Sequence, residues 1–138
     1  MSYATWQKEF YPTTAATAAT RGTLAAVRHS LRKWRGLTAK SLAAHRMRLG
    51  GDREVTDGER WLYIDMDSCA LCQRFVARTE TCYGCPLYAV LGKRCDDDGD
   101  APFNVWGATT NPAPMIAALQ EAEQWVLTAQ QAERRNGR

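Results

Sequence analysis

Between Phe10 and Gly51 the chain contains no aspartate or glutamate. The same stretch carries Arg21, Arg28, Arg32, Lys33, Arg35, Lys40, Arg46 and Arg48, so a net charge of only +3 hides a strongly basic segment. The acid lies elsewhere, in "DDDGD" at 96–100 and at Glu121 and Glu123. A polarised chain of this kind attracts polyanions, either nucleic acid or an acidic protein face. The competing reading is a solvated helix face that happens to carry arginine and lysine.

Other absences narrow the chemistry. No apolar run approaches the roughly 20 residues that cross a bilayer, and the first residues, "MSYATWQKEFYP", lack a basic region followed by an apolar core. The expectation is a cytosolic protein whose thiols stay reduced. No phosphate-cradling glycine loop and no nucleophile elbow occur. No His-x-Glu is present, which excludes the deaminase signature. There are only two histidines, His29 and His45. Each lies among basic residues without a neighbouring carboxylate in sequence, so a structural or surface role is expected for both.

What the chain does have is cysteine in a metal-binding pattern. Cys69 and Cys72 form one Cys-x-x-Cys pair and Cys82 and Cys85 another, within "SCALCQRFVARTETCYGCPL". Such spacing brings two sulfurs to one side of a turn, and two pairs supply the four soft ligands of a tetrahedral structural zinc site. The interval between pairs is shorter than the roughly 15–20 residues of a zinc ribbon, which points to a compact finger. Asp67 or Ser68 is expected to cap a helix containing "CALCQRFVAR", and Gly84 to let backbone amides turn towards sulfur. Cys95, the fifth cysteine, is close enough in sequence to substitute for one of the four. An iron–sulfur cluster uses the same four thiolates and stays open as an alternative. Disulfides and a redox dithiol are disfavoured, the latter because no βαβ pattern surrounds the pairs. "DDDGD" fails calcium-loop spacing and reads as a solvated acidic turn.

The rest of the sequence reads as one helix-rich α+β domain over 1–138. Residues 1–22, with "TTAATAAT", form a loosely packed arm in which Trp6 is an exposed anchor. Residues 23–50 hold two basic helices. The first runs Thr23 to Arg35 on the stripe Leu24, Val27, Leu31 and Trp34, and the second runs Thr38 to Leu49. Residues 52–95 contain a hairpin and the zinc finger, with a strand at Trp61 to Ile64 after an Asp-Gly turn. "DDDGDAPFNVWGATTNPAP" is expected to be irregular. A long last helix over 112–134 buries Met115, Leu119, Ala122 and Val126.

The segments "DSCALC" and "CYGCPL", the further Cys95, the loop "PFNVW", the start "NPAPMI" and the stretch "HSLRKWRGL" with "LAAH" resemble a group of small proteins encoded by tailed bacteriophages and prophages. That resemblance implies a phage origin and supports metal binding, and adds weight to Cys95 as a ligand. It implies no activity. The resulting expectation is a non-enzymatic accessory protein in the cytoplasm of an infected bacterium. Its metal would be held by Cys69, Cys72, Cys82 and Cys85. Its macromolecular partner, nucleic acid or host protein, would meet Arg28, Arg32, Lys33, Arg35, Arg46 and Arg48. An inhibitor of a host defence protein, such as a CRISPR component, is the second reading. An iron–sulfur or metal-dependent enzyme is the third.

Overall fold

In the computed structural model, which describes residues 2–137, the chain is helix-rich α+β with one small antiparallel sheet. Residues 2–22 are not an arm. They form α1 (Tyr3–Phe10) and α2 (Ala15–Thr20), both packed into the core. Trp6 is 0% exposed and donates its indole N–H to the carbonyl of Gly36 at 2.9 Å, so it is an anchor to the interior rather than to solvent. Gly36 is required there because a Cβ would lie 2.6 Å from Cγ of Phe10. In α2, Thr14 caps the first turn, accepting from the Thr17 amide at 3.2 Å. Ala15, Ala18 and Ala19 are buried at helical spacing, and their small side chains let α2 close on α3.

α3 (Thr23–Arg35) lies at the centre. Its expected stripe faces inward through Val27, Leu31 and Trp34, but Ala26, His29, Ser30 and Lys33 are buried as well, so most of its circumference is covered. Helix α4 (Ala39–Ala44), capped by Thr38, is shorter than expected. Arg46 adopts a left-handed φ of 55°, which ends helical propagation, and Arg48–Leu49 becomes β1. β1 pairs with β2 (Glu54–Thr56), Leu49 opposite Val55, and β2 pairs with β3 (Trp61–Tyr63), Val55 opposite Leu62. The hairpin turn is built by Asp57, whose Oδ1 accepts from the amides of Glu59 and Arg60 at 2.9 Å each. Its Oδ2 accepts from the Tyr3 amide at 3.0 Å, which ties the start of α1 to the sheet.

A 3-10 turn at Met66–Ser68 leads into a helical segment that is π-wound over Cys72–Val76 and ends as α5 (Ala77–Thr79). Helix α6 (Pro86–Leu91) begins on its proline and stops at left-handed Gly92. The segment expected to be irregular contains α7 (Pro102–Thr109), whose Trp106 is buried edge-on against Trp34 at 5.1 Å. The acidic turn ahead of it is tied down: the Asn104 side chain donates to the carbonyls of Asp96 and Asp98, and Lys93 pairs with Asp98 at 2.9 Å. Finally α8 (Ala113–Asn136) packs along α3, α6 and α7, burying Met115, Ala118, Leu119, Ala122 and Val126. No helix among the described residues is long and apolar enough to cross a membrane.

Candidate metal centre in a cysteine-lined cleft

Each cysteine is placed by a local device. Asp65 caps the 3-10 turn, accepting from the Asp67 amide at 3.0 Å, and Asp67 and Ser68, the expected caps of the cysteine helix, lie inside that turn. The helical segment then begins just after Cys69, whose Sγ accepts the Cys72 amide at 3.2 Å. A thiol in this position faces free amides and the positive end of a helical turn, both of which favour thiolate. Cys85 stands at the head of α6, bonded backward through its amide to the Cys82 carbonyl at 2.9 Å. Gly84, between them, has no left-handed φ. Its role is close packing, since a Cβ would stand 3.1 Å from Phe75.

Cys69, Cys72, Cys82 and Cys95 line a single cleft of about 370 Å³, and all five cysteines are free thiols. The cleft is bordered by α3, the π-wound helix, the segment before α7, and α8. Met115, Leu119 and Leu87 make its apolar side, and Arg53, Arg94 and Lys33 bring positive charge. Cys85 is buried but is not part of the lining. Among the described residues, no group of three or more His, Cys, Asp or Glu side chains is arranged to hold a metal ion as placed. The donor chemistry is that of a thiolate-held centre, and Cys85, although not in the cleft wall, interacts electrostatically with Cys69, Cys72, Cys82 and Cys95. A tetrahedral zinc site would hold its sulfurs about 3.8 Å apart, given Zn–S bonds of about 2.3 Å.

The electrostatics are those of a thiol cluster around one buried amine. Cys69 is held below the usual thiol range, chiefly by its hydrogen bond with Cys72 and further by Lys33 and the Leu71 and Cys72 amides. Cys72, as the partner of that bond, is pushed up. Burial raises Cys82, takes Cys85 up to about 11 and Cys95 up to about 12. Lys33 is lowered by burial, against the pull of Cys69 and Cys72.

Lys33 is the main departure from the expected surface. It is 1% exposed, its Nζ donating to the Ser68 carbonyl at 2.8 Å, so it belongs to the cleft and not to a partner-binding face. Arg28 is exposed but paired with Glu123 at 3.0 Å, and Arg32 donates to the Glu9 carbonyl. Arg35, Arg46 and Arg48 are exposed, as is Lys40. The sequence signal for Lys33 was its spacing: Ala26, Ser30 and Lys33 form a second inward stripe beside Val27, Leu31 and Trp34.

Both histidines are held by contacts from neighbouring elements. His29 sits edge-on to Tyr11 at 4.9 Å and meets the Thr13 carbonyl at 2.7 Å. His45 does have a carboxylate partner, supplied by the fold: Glu9 at 2.6 Å on one nitrogen, with the Thr5 hydroxyl at 2.8 Å on the other. That hydroxyl also donates to the Ser2 carbonyl at 3.0 Å, so the array ties α1 to the end of α4.

Comparison with protein-family models, with curated proteins and with solved structures finds no match. The fold and the cleft are therefore the basis for any functional reading.

Proposed function

We propose that this is a non-enzymatic interaction protein whose cysteine-lined cleft holds a thiolate-ligated metal centre, zinc or iron–sulfur, as a structural staple. The observation that carries this reading is the convergence of Cys69, Cys72, Cys82 and Cys95 on one cleft, beside a buried lysine. These cysteines come from short, irregularly joined segments. A metal contributes folding energy to such a region because the ligands converge only in the folded state. An accessory role in an infected bacterium is part of the same proposal. The test is metal content per chain, followed by chelation and circular dichroism. One equivalent of a centre per chain, with loss of folded signal on its removal, is the expected outcome. A metal-free protein that remains folded overturns the reading.

The partner surface, on this proposal, is the basic region around α4, with Arg35, Lys40, Arg46 and Arg48 exposed and no carboxylate partner among the described residues. Nucleic acid is the partner this chemistry favours. Four such contacts give a slope of log K on log salt of about −3 to −4. A salt-insensitive complex that survives nuclease treatment of a host lysate would instead support the inhibitor reading.

A further inference from the structure

We propose that the free edge of β3 is a docking site for an extended, basic peptide segment of a partner protein, which joins the sheet as a fourth strand. This goes beyond the nucleic-acid surface and the thiolate centre and depends on neither.

The backbone supplies the first argument. β3 is the last strand of the sheet and pairs only with β2. Just past it, Ile64 donates its amide to the Arg53 carbonyl at 2.8 Å, and at the turn Asp57 donates to the Arg60 carbonyl at 3.3 Å. An antiparallel ladder alternates between hydrogen-bonded and non-hydrogen-bonded pairs. Leu62 therefore bonds with Val55, while the N–H and C=O groups of Trp61 and Tyr63 point away from β2. No turn or loop hydrogen bond among the described residues takes up the main chain of either residue. The two sets of groups stand about 7 Å apart along the strand, the repeat at which another extended chain presents its own. Strand addition uses such an edge.

A groove of about 200 Å³ lies beside this edge, lined by β3 itself together with Tyr11, Asp65, Asp67 and Ser68. Trp61 is 54% exposed and Tyr63 46%. The two project on one face of the strand, where they can pack on alternate side chains of an added one.

Charge selects the occupant. Asp65 and Asp67 are exposed, and neither forms an ion pair among the described residues. No lysine, arginine or histidine lines the groove. Lys33 is buried behind it, donating to the Ser68 carbonyl. Aromatic rings beside carboxylates favour a lysine or arginine side chain, through cation–π attraction and charge-assisted hydrogen bonds. The same carboxylates repel phosphate. A second copy fits poorly as well: two β3 edges paired about Leu62 would set Asp65 opposite Glu59, like charge against like.

The experiment selects binders of the full chain from a yeast-displayed library of random seven-residue peptides, and measures the enriched peptide in synthetic form by fluorescence anisotropy. Enrichment of lysine or arginine among β-branched residues is expected, and no enrichment, or enrichment of acidic residues, overturns the proposal. N-methylation of alternate backbone amides should weaken binding about tenfold in one register and little in the other. Equal binding in both registers overturns strand addition. Tyr63→Pro removes an outward amide and spares the ladder, whose donors on β3 belong to Leu62 and Ile64. A folded Tyr63→Pro variant should bind about tenfold more weakly than Tyr63→Ala, and equal affinity counts against the edge. Asp65→Asn with Asp67→Asn should weaken binding about threefold to tenfold and reduce its salt dependence. Self-association of the chain alone that Trp61→Arg abolishes would assign the edge to a second copy and overturn the peptide. Displacement of the peptide by a single-stranded oligonucleotide would overturn it in favour of nucleic acid.

Discussion

Replacing Trp6 tests whether the first 22 residues belong to the core. The indole is fully buried, touches Tyr3 and Phe10 at ring separations of 6.1 Å, and donates to Gly36 at 2.9 Å. Removing a buried tryptophan to alanine costs about 3–5 kcal/mol through lost burial and the cavity left behind. The indole hydrogen bond adds about 1 kcal/mol, because the Gly36 carbonyl loses its donor. Trp6→Phe keeps most of the ring and loses the donor, so it should cost about 1–2 kcal/mol. For a chain of this length, 1 kcal/mol shifts Tm by about 3–5 °C, which places Trp6→Ala about 12–30 °C below the parent. Urea titration monitored by circular dichroism measures both variants, with the slope as a check that the unfolded state is unchanged. A loss below about 1 kcal/mol for Trp6→Ala would refute the reasoning, because a mobile arm gives that result and a core anchor does not.

Three further outcomes follow from the same structure. Gly36→Ala should destabilise by about 1–3 kcal/mol in thermal melts, because its Cβ would meet Phe10 at 2.6 Å. His29 has its pKa lowered by burial, so the unfolded chain binds the proton more readily. Stability is therefore full above about pH 7 and falls as pH drops through the unfolded value of about 6.5. His29→Phe should flatten that limb in urea midpoints taken from pH 8 to 5, and an unchanged limb refutes the assignment. Lys33→Met should leave the metal-free protein as stable or more so, because a buried ammonium without a carboxylate is costly. The loaded protein should release metal about tenfold faster to a chelator, and equal release rates would remove Lys33 from the centre.

The cysteine spacing, the stripe of α3, the Asp-Gly hairpin and the inner face of α8 were all legible because each is a local pattern repeated at the period of its element. The arm was misjudged because α2 announces itself with alanine instead of large apolar residues. Its burial depends on the close approach of α3, which no window of sequence contains. The second helix was drawn too long because Leu42 and Leu49 share a helical phase by coincidence, while Arg46 turns left-handed between them and Leu49 joins a strand. Lys33 was placed outside by its charge. Only the fold shows that its stem crosses the core, and only the cleft shows what the amine meets. Cys95 is legible as a possible substitute from its distance in sequence, but that it lines the cleft depends on the fold around α6 and α7.

Two of the helices that border the cleft, the π-wound helix and α3, differ in how they tolerate changes of chain length. A π-turn closes over one residue more than an α-turn, so Cys72–Val76 contains a residue of slack. Losing one residue there can be absorbed by rewinding to α geometry, with both ends of the helix kept nearly in place. In α3 the same deletion would rotate every later side chain by about 100°, swinging Lys33 out of the cleft and Trp34 off Trp106. Single-residue deletions among natural variants of this chain should therefore collect in the cysteine helix and spare α3.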